Sequence, residues 1–258
     1  MDLDTHLINL DRAEERLASA TKQLDQLGMT FQRFSAVDGS KLSDEETRDY
    51  SEHQSFQRMG RSMSPGEIGC FLSHYRVAKA FLKSDHQYCL ALEDDLLAAE
   101  DLPELLESLV GYLETKHTRP WYLVNLGNAP TKLYSRLTTI ETHTQNYDLV
   151  AAHHFPVLTT ALLWSREGAE AFVKAGMPMH APVDQFLKDW CTRNRKGQGL
   201  AFLQPPVKTI GAESQISYDE TLGKARRGMR NGLYFLRKQR RHILNNYMSV
   251  AGKLSYKR

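Results

Sequence analysis

Near the start of the chain, the apolar residues change from a continuous run, typical of a buried strand, to the 3.6-residue spacing of a helix. Short apolar runs at residues 6–10 and 31–37 predict two strands. Asp11 is placed to cap an intervening helix and Gly28 to end it. The predicted buried face of that helix holds Leu17, Leu24 and Leu27. A strand, a helix and a second strand in close succession are typical of a βαβ unit, so an α/β fold is expected.

The rest of the chain continues this alternation of strands and helices. Residues 40–63 are polar and predict a loop or a loosely packed helical lid. Ser64, Pro65 and Glu67 then form a capping box that starts a helix. Further strands are predicted at 88–95, 121–127 and 157–164, a hairpin at 138–152, a proline-broken edge strand at 200–207, and helices at 103–113, 166–175 and from 183. These elements predict a Rossmann-like, mostly parallel central sheet flanked by helices.

Three consecutive acids follow the central apolar run. Residues 88–92 lead directly into Glu93, Asp94 and Asp95. Ligands of open α/β sheets bind beyond the carboxyl ends of strands, and a divalent cation there would offset the repulsion among the acids. Because side chains alternate along a strand, Glu93 and Asp95 are expected on one side and Asp94 on the other. The motif alone fits two interpretations equally: a metal clamp for a nucleotide diphosphate, or acids that open a surface loop or cap a helix.

Composition fits a globular chain of one large or two small domains. The 258 residues are 41% hydrophobic and 25% charged. Cys70, Cys89 and Cys191 are widely spaced, which disfavours a disulfide framework or zinc site and fits a reducing cytosol. The N-terminus lacks a signal-peptide pattern, and no segment approaches the roughly 20 apolar residues of a membrane span. A soluble or peripheral chain is therefore expected.

The charge distribution separates the C-terminal residues from the rest. Residues 221–258 hold eleven Lys and Arg and no acid, whereas the preceding residues hold 22 basic against 31 acidic side chains. We predict a basic helical tail whose apolar positions are Leu233, Leu236, Ile243 and Leu244. Three interpretations fit the tail: contact with an anionic membrane surface, which we favour, contact with acceptor phosphates, or a solvated tail. Its aromatic residues are too few for a nucleic-acid partner.

Sequence blocks spread over most of the chain resemble one known family. The most specific are Gly69-Cys70-Phe71-Leu72-Ser73-His74 and Glu93-Asp94-Asp95, and the others are Ile8-Asn9-Leu10-Asp11-Arg12 with Arg16, Ala36-Val37-Asp38-Gly39, Ser64-Pro65-Gly66-Glu67 and Pro182-Val183-Asp184. The chain thus resembles glycosyltransferase family 25. This family includes the lipooligosaccharide glycosyltransferases of Gram-negative bacteria, which are similar to the sugar-transferring domains of collagen galactosyltransferases.

The resemblance implies a fold, a reaction and a location. The fold is of the GT-A type, with a catalytic domain at residues 1–220 ahead of the basic tail at 221–258. The reaction is transfer of a sugar, often galactose, from a UDP-sugar to a lipooligosaccharide or lipopolysaccharide (LPS) acceptor, with inversion. The cofactor is Mn²⁺ or Mg²⁺ on Glu93 and Asp95. The location is the cytoplasmic face of the inner membrane of a Gram-negative bacterium.

The resemblance also implies which residues bind the donor. The guanidinium groups of Arg12 and Arg16 follow the first strand, where an α/β sheet holds nucleotide phosphates. A solvated helix face is the alternative for both, and explains Arg16 equally well. His74 is nearly as well explained as a packed helix residue. The full donor set is Asn9, Arg12, Arg16, Asp38, Ser73, His74, Glu93 and Asp94.

Asp184 is the implied general base. It begins a helix after a proline-flanked loop, where simple N-capping is the alternative explanation. Asn125, at the end of a core strand, is the predicted acceptor contact. Weaker assignments complete the set: His153, His154 and Glu213 as further metal ligands, Glu67 as a capping residue only, and Thr159 and Thr160 as strand residues.

Two other functions compete with a glycosyltransferase. A sugar-nucleotide nucleotidyltransferase has a similar core with paired acids, but it is expected to carry a glycine-rich loop with a lysine where this chain has Leu10-Asp11-Arg12-Ala13. An inactive relative that acts as a binding protein would be marked by loss of the metal acids, which this chain retains. The glycosyltransferase is therefore the favoured hypothesis.

Overall fold

An eight-stranded mixed sheet forms the centre of the protein. The computed structural model describes residues 2–194, 197–210 and 232–256. The strands are β1 (Leu3–Asn9), β2 (Gln32–Ser35), β3 (Tyr88–Glu93), β4 (Leu96–Ala98), β5 (Trp121–Asn125), β6 (Tyr134–Glu141), β7 (Asn146–Ala152), β8 (Ala161–Ser165), β9 (Gln198–Phe202) and β10 (Val207–Thr209). The helices are α1 (Glu14–Gln26), α2 (Asp44–Thr47), α3 (Glu52–Met59), α4 (Pro65–Phe81), α5 (Leu102–Thr115), α6 (Arg166–Ala175), α7 (Val183–Arg193) and α8 (Gly232–Tyr256).

The strand directions confirm a mostly parallel sheet. Its order is β2-β1-β3-β8-β5-β9-β7-β6, and β4 and β10 form a separate two-stranded ribbon. Only β8 and β7 oppose the other described strands, since β1 is parallel to β2 and β3, and β9 is parallel to β5. The predicted edge position of residues 200–207 is wrong, because β9 lies between β5 and β7. Pro205 and Pro206 follow that strand instead of interrupting it.

Both faces of the sheet are covered by helices, which explains the unbroken apolar run of β3. Cys89 and Ala91 point into a core that also contains residues of α4, α6 and α7. Leu90 and Leu92 point into a second core with residues of α1 and α5. A strand buried on both faces needs apolar side chains at every position, so it lacks the alternation of a half-exposed strand. Layers of helix, sheet and helix therefore fix β3 in the middle of the molecule.

The residues that cap α1 and α4 are only partly those predicted from the sequence. The capping box of α4 is present, because the Ser64 hydroxyl accepts from the Glu67 N–H at 3.2 Å and the Glu67 carboxylate accepts from the Ser64 N–H at 2.7 Å. Asp11 does not cap α1. Its carboxylate accepts instead from the Ser35 hydroxyl at 2.8 Å and from Arg33. Gly28, with φ of +65°, ends the helix as expected.

The remaining expectations about segments have mixed outcomes. The polar stretch at 40–63 contains the two short helices α2 and α3. The hairpin predicted at 138–152 is present, formed by β6 and β7, and begins earlier, at Tyr134. All three cysteines are free. Within the described ranges, no helix is both long and apolar enough to cross a membrane. The domain boundary expected at residue 220 lies outside the described residues.

Helix α8 packs against the body through its polar side. It contacts α3, α7 and β6. Tyr234, Asn245 and Ser249 are buried in this interface. The apolar positions predicted from the sequence point the other way, and Leu236 and Ile243 are each 68% exposed. The predicted helix is therefore present, but its four predicted apolar positions are exposed rather than part of the core.

The packing of two helices predicts opposite effects of the same substitution. A Cβ added at Gly168 would stand 2.1 Å from the Tyr122 carbonyl oxygen, whereas one added at Gly111 would meet nothing within 4 Å. We expect Gly168→Ala to lower the free energy of unfolding by about 1–3 kcal/mol, because backbone must move. Gly111→Ala is the matched control and should raise it by about 0.5–1 kcal/mol, because glycine is a poor helix former. Urea denaturation measures both, and a Gly168→Ala protein as stable as the wild type would contradict this packing.

Candidate active site

The three acids lie at the turn between β3 and β4. β3 ends at Glu93, so Asp94 and Asp95 are turn residues rather than strand residues. The parallel pairing of β1 with β3 places Ile8 opposite Glu93, which brings the start of α1 to the same edge of the sheet. The alternation expected of strand residues therefore does not apply to Asp94 and Asp95; all three acids line one cavity at this edge, and Glu93 and Asp95 also line a second one. Each acid has its own set of neighbours.

Glu93 is held by two side chains from different elements. His74, on α4, lies 2.9 Å from a carboxylate oxygen of Glu93, and the Thr159 hydroxyl donates to the same oxygen at 2.7 Å. Burial works to raise the pKa of Glu93, but the hydrogen bonds from His74 and Thr159 outweigh it and keep the pKa below its usual value. Glu93 is therefore an ionised carboxylate with a fixed orientation.

Asp94 connects β3 to β1 and α1. The Asn9 amide donates to it at 2.6 Å, and Arg16 pairs with its other oxygen. Burial raises the pKa of Asp94, and the contacts with Asn9 and Arg16 offset only part of that effect. Asn9 and Asp94, both predicted donor contacts, are thus engaged with each other.

Asp95 is the least satisfied of the three acids. One of its oxygens accepts from the Thr209 hydroxyl at 3.0 Å, and the nearest Arg16 nitrogen is 3.8 Å away. Its other oxygen, Oδ1, is buried and has no hydrogen-bond partner in the part of the chain that the structure describes. Burial and then repulsion from Glu93 raise the pKa of Asp95. A buried carboxylate oxygen without a donor is unfavourable unless something positive completes the site.

A cavity of about 280 Å³ lies on the α1 side of the acids. Five residues of the predicted donor set besides the acids line it: Arg12, Arg16, Asp38, Ser73 and His74. Arg12 pairs with Asp38. The Ser40 hydroxyl, and then Arg12, lower the pKa of Asp38 to about 2. The cavity therefore combines two guanidinium groups with a fully ionised carboxylate.

Close backbone packing shapes the rim of this cavity. A Cβ added at Gly39 would lie 2.3 Å from the Pro65 carbonyl oxygen, and one added at Gly69 would lie 2.5 Å from the Val37 carbonyl oxygen. The Ser73 hydroxyl accepts from the Val37 N–H at 2.9 Å and donates to the Gly69 carbonyl at 2.7 Å. Ser73 is therefore used mainly to hold the segment after β2 against α4.

A larger cavity of about 710 Å³ lies on the other side of the acids. Glu93, Asp95 and Cys70 line both cavities and form the wall between them. Asp184, in the first turn of α7, lines the larger cavity only, and one of its oxygens accepts from the Gln185 N–H at 2.6 Å. Burial raises the pKa of Asp184, and repulsion from Glu93 adds to this, although the Gln185 N–H opposes it. The two predicted metal acids and the predicted base thus share one cavity.

Several other predicted residues lie elsewhere or differ in role. Asn125 is 1% exposed, and its amide donates to the carbonyls of Val157 and Leu158 instead of lining a cavity. His153 and His154 lie under α8 and hydrogen-bond to Ser135 and Ser249 respectively, so the structure does not bring them to the acids. Glu213 lies outside the described residues.

The sequence missed three site residues. Thr159 is not a strand residue, because β8 begins at Ala161, and its hydroxyl binds Glu93. Leu158 lines the larger cavity with a φ of +69°, and its N–H lowers the pKa of Asp184. Thr209, on β10, binds Asp95. None of these carries a local sequence signal, because each is defined by a contact with a residue distant in the chain.

Two overlapping sets of atoms near Glu93 suit a metal ion. The first is the predicted pair Glu93 and Asp95, with the unpartnered Asp95 oxygen. The second is Cys70, His74 and Glu93, whose ligand atoms lie within 4.8 Å of one another. Burial raises the pKa of the Cys70 thiol, and the surrounding acids raise it further, so the thiolate form is disfavoured. The oxygen pair therefore fits a hard cation such as Mn²⁺ or Mg²⁺ better than the cysteine set does.

Comparison with known proteins identifies the family. The model of glycosyltransferase family 25 (LPS biosynthesis protein) matches residues 2–187. A glycosyltransferase 25 family member from Anopheles gambiae is 39% identical over 97 residues, which are 35% of this chain and 16% of that protein. Procollagen galactosyltransferase 1 from Danio rerio is 25% identical over 231 residues, 83% of this chain and 36% of that protein.

A third relative has a different description. The probable inactive glycosyltransferase 25 family member 3 from Rattus norvegicus is 25% identical over 208 residues, 78% of this chain and 35% of that protein. The chain thus spans between 16% and 36% of the length of these three relatives. The family match runs from β1 into α7 and includes Glu93, Asp94, Asp95 and Asp184. This chain therefore belongs to glycosyltransferase family 25.

Proposed function

We propose that this chain transfers galactose from UDP-galactose to the glycan of a lipooligosaccharide or LPS, with inversion at the anomeric carbon. The observation that carries the proposal is the position of Glu93 and Asp95 in the wall between two cavities, with Asp184 in the larger one. The substrates are suggested by the family description, which names LPS biosynthesis, and by the procollagen galactosyltransferase among the relatives. The smaller cavity takes the nucleotide and the larger one takes the acceptor.

The donor side supplies positive charge for a diphosphate. Arg12 and Arg16 line the smaller cavity, close to the start of α1. Their pairs with Asp38 and Asp94 hold the guanidinium groups in place, and the remaining N–H groups are free to donate to phosphate oxygens. Two oriented cations at this position stabilise the charge that develops on the departing UDP.

Glu93 and Asp95 are the residues that would hold the divalent metal. When bound, Mn²⁺ or Mg²⁺ supplies further positive charge to the leaving diphosphate. His74 and Thr159 orient Glu93, and Thr209 orients Asp95. The orientation of carboxylates by outer hydrogen bonds is a general requirement of metal sites.

Asp184 is the proposed general base on the acceptor side. Burial raises the pKa of its carboxyl group, which makes the carboxylate a stronger base than that of an exposed aspartate. It takes the proton from the acceptor hydroxyl as that oxygen attacks the anomeric carbon. Because the donor and acceptor cavities lie on opposite sides of the acids, attack comes from the face opposite the leaving UDP, which inverts the configuration.

An inactive family member that acts as a binding protein is the principal alternative, since the relative from Rattus norvegicus is described as a probable inactive glycosyltransferase 25 family member. Retention of Glu93, Asp95 and Asp184 in one cavity supports an active enzyme. A nucleotidyltransferase finds no support in the family match. Turnover of a UDP-sugar therefore separates the two remaining hypotheses.

Helix α8 supports a location at an anionic membrane surface. Leu236, Ile243, Tyr247, Val250 and Leu254 form one stripe on the side of the helix that faces away from the body, and each is 45–68% exposed. The helix contains no acid, and its basic residues include Arg240 at the stripe. A second copy of this chain docked on the stripe would bring two basic helices together, which is unfavourable. An anionic lipid surface carries the opposite charge, and each basic residue near it contributes about 1 kcal/mol to binding.

The same helix also borders the acceptor cavity. Tyr234 and Arg241 line the larger cavity on the opposite side of α8 from the stripe. A membrane under α8 would therefore bring a lipid-linked acceptor to the mouth of that cavity. This arrangement suits an enzyme at the cytoplasmic face of a Gram-negative inner membrane.

The metal assignment predicts a loss of metal-dependent nucleotide binding. Wild-type protein should bind UDP at least about tenfold more tightly with Mn²⁺ than with a chelator, because a cation held by Glu93 and Asp95 would add positive charge beside the diphosphate. Asp95→Asn should remove that difference, while the exposed control Asp85→Asn should keep it. Calorimetry of UDP binding measures the effect independently of turnover. Equal UDP affinity of the wild type with and without Mn²⁺ would contradict the metal role.

The base assignment predicts a defect confined to transfer. Asp184→Asn should lower kcat for glycosyl transfer by at least about 100-fold, because the amide cannot accept the hydroxyl proton. UDP-galactose binding should be unchanged, since Asp184 does not line the donor cavity. Radiolabelled transfer to purified LPS acceptors measures kcat. Transfer at the wild-type rate would remove Asp184 from this role.

The membrane assignment predicts dependence on the outward stripe. Replacing Leu236, Ile243 and Tyr247 together by serine should weaken binding to anionic vesicles at least about tenfold, because apolar area is no longer buried in the bilayer surface. The control replaces the exposed polar residues Gln239 and Asn246 by serine and should bind as the wild type does. Co-flotation with anionic and neutral vesicles is the measurement. Unchanged flotation of the triple variant would refute the proposal.

A further inference from the structure

A groove of about 1010 Å³ lies between α3, α7 and α8, beside the larger of the two cavities described above. Four guanidinium groups line it: those of Arg58, Arg193, Arg237 and Arg241. Asp189 supplies the one carboxylate among its described lining residues. The groove is therefore strongly cationic, in contrast to the acidic wall next to it.

Three of these arginines are held in place by specific contacts. Arg58, only 12% exposed, donates to the Asp189 carboxylate at 2.6 Å and to the Gln185 carbonyl at 2.7 Å. Arg241 donates to the Arg58 carbonyl at 2.6 Å. Arg193 donates to Asn245 at 2.7 Å, and its nearest nitrogen is 3.8 Å from Asp189. These contacts fix the groups without using all of their N–H donors.

Among the described residues that line this groove, four guanidinium groups outnumber the single carboxylate. Asp189 approaches both Arg58 and Arg193, and it also accepts from the Asn245 amide at 2.8 Å. Burial, together with the neighbouring Arg241 and Arg193, lowers the pKa of Arg58, although Asp189 opposes the effect. Packing like charges around a buried arginine is unfavourable, and an anion in the groove would relieve it.

We propose that this groove binds a phosphate group carried by the acceptor glycan. Arginine is suited to phosphate, because its planar fork can donate two parallel hydrogen bonds. Arg58 and Arg241 line both this groove and the cavity that holds Asp184, so one glycan can occupy both. The identification of the acceptor rests on the proposed function, whereas binding of the anion does not.

The test measures binding without any nucleotide sugar. Full-length protein is titrated by calorimetry with a phosphorylated LPS core oligosaccharide freed of lipid, with the same oligosaccharide after phosphatase treatment, and with inorganic phosphate as a competitor. We expect the phosphorylated glycan to bind at least about tenfold more tightly than the treated one, because charged hydrogen bonds to phosphate are lost. Inorganic phosphate should reduce that preference.

Matched double variants locate the effect. Arg193→Gln with Arg237→Gln should abolish the preference, whereas Arg240→Gln with Lys253→Gln removes two charges of α8 outside the groove lining and should preserve it. Thermal unfolding confirms that both variants are folded. Equal wild-type affinity for the two glycans, a preference that survives in the groove variant, or an equal loss in the control would each overturn the proposal.

Two further comparisons distinguish this proposal from a lipid-binding groove and from the proposed transfer reaction. If the groove variant loses only its binding to anionic vesicles, a lipid headgroup is the ligand and the proposal is wrong. Phosphate preference with no transfer from UDP-galactose would reject the proposed reaction and keep the groove. Transfer at a normal rate without a preference for the phosphorylated glycan would reject the proposed groove function and keep the proposed reaction.

Discussion

Repulsion among Glu93, Asp94 and Asp95 is the constraint around which this site is arranged. Three adjacent carboxylates at a strand end can coexist only if each finds a separate source of positive charge or hydrogen-bond donors. His74 and Thr159 serve Glu93, Asn9 and Arg16 serve Asp94, and Thr209 serves Asp95 in part. The donors come from α4, α1, β1, β10 and the segment before β8, so satisfying the acids fixes the mutual positions of five parts of the chain.

The three acids differ in how completely their oxygens are hydrogen-bonded, and Asp95 is the least completely bonded of them. Asp94 is tied to the scaffold by two groups, whereas Asp95 retains a buried oxygen without a donor. That difference is what a cation site requires, because a carboxylate already engaged by arginine offers a metal little. Glu93 and Asp95 line the cavities on both sides of the wall that they form.

Charge of opposite sign surrounds this wall. Arg12 and Arg16 line the donor cavity, and a cluster of arginines lines the groove next to the acceptor cavity. The two sides of helix α8 differ, since its inner side contributes Arg241 to the larger cavity and its outer side is apolar and basic. Such a helix owes its stability to polar contacts with α3 and α7 rather than to burial of its leucines.

The α/β class and the family can be predicted from the sequence, because they depend on local periodicity, capping residues such as Ser64 and Glu67, and contiguous blocks, whereas the short strands β4 and β10 were not predicted. The sequence also drew attention to Glu93 and Asp95 at a strand end, where the motif alone fits a metal site and a surface loop equally, and the family resemblance added Asp184 at a helix start. Only the tertiary structure decided that Asn125 is buried, that Thr159 and Thr209 bind the acids, and that β9 is an inner strand. It also decided that the leucines of α8 face outward. Each of these facts is a contact or an exposure between segments far apart in the chain, and local pattern contains no information about which distant residues a side chain will meet.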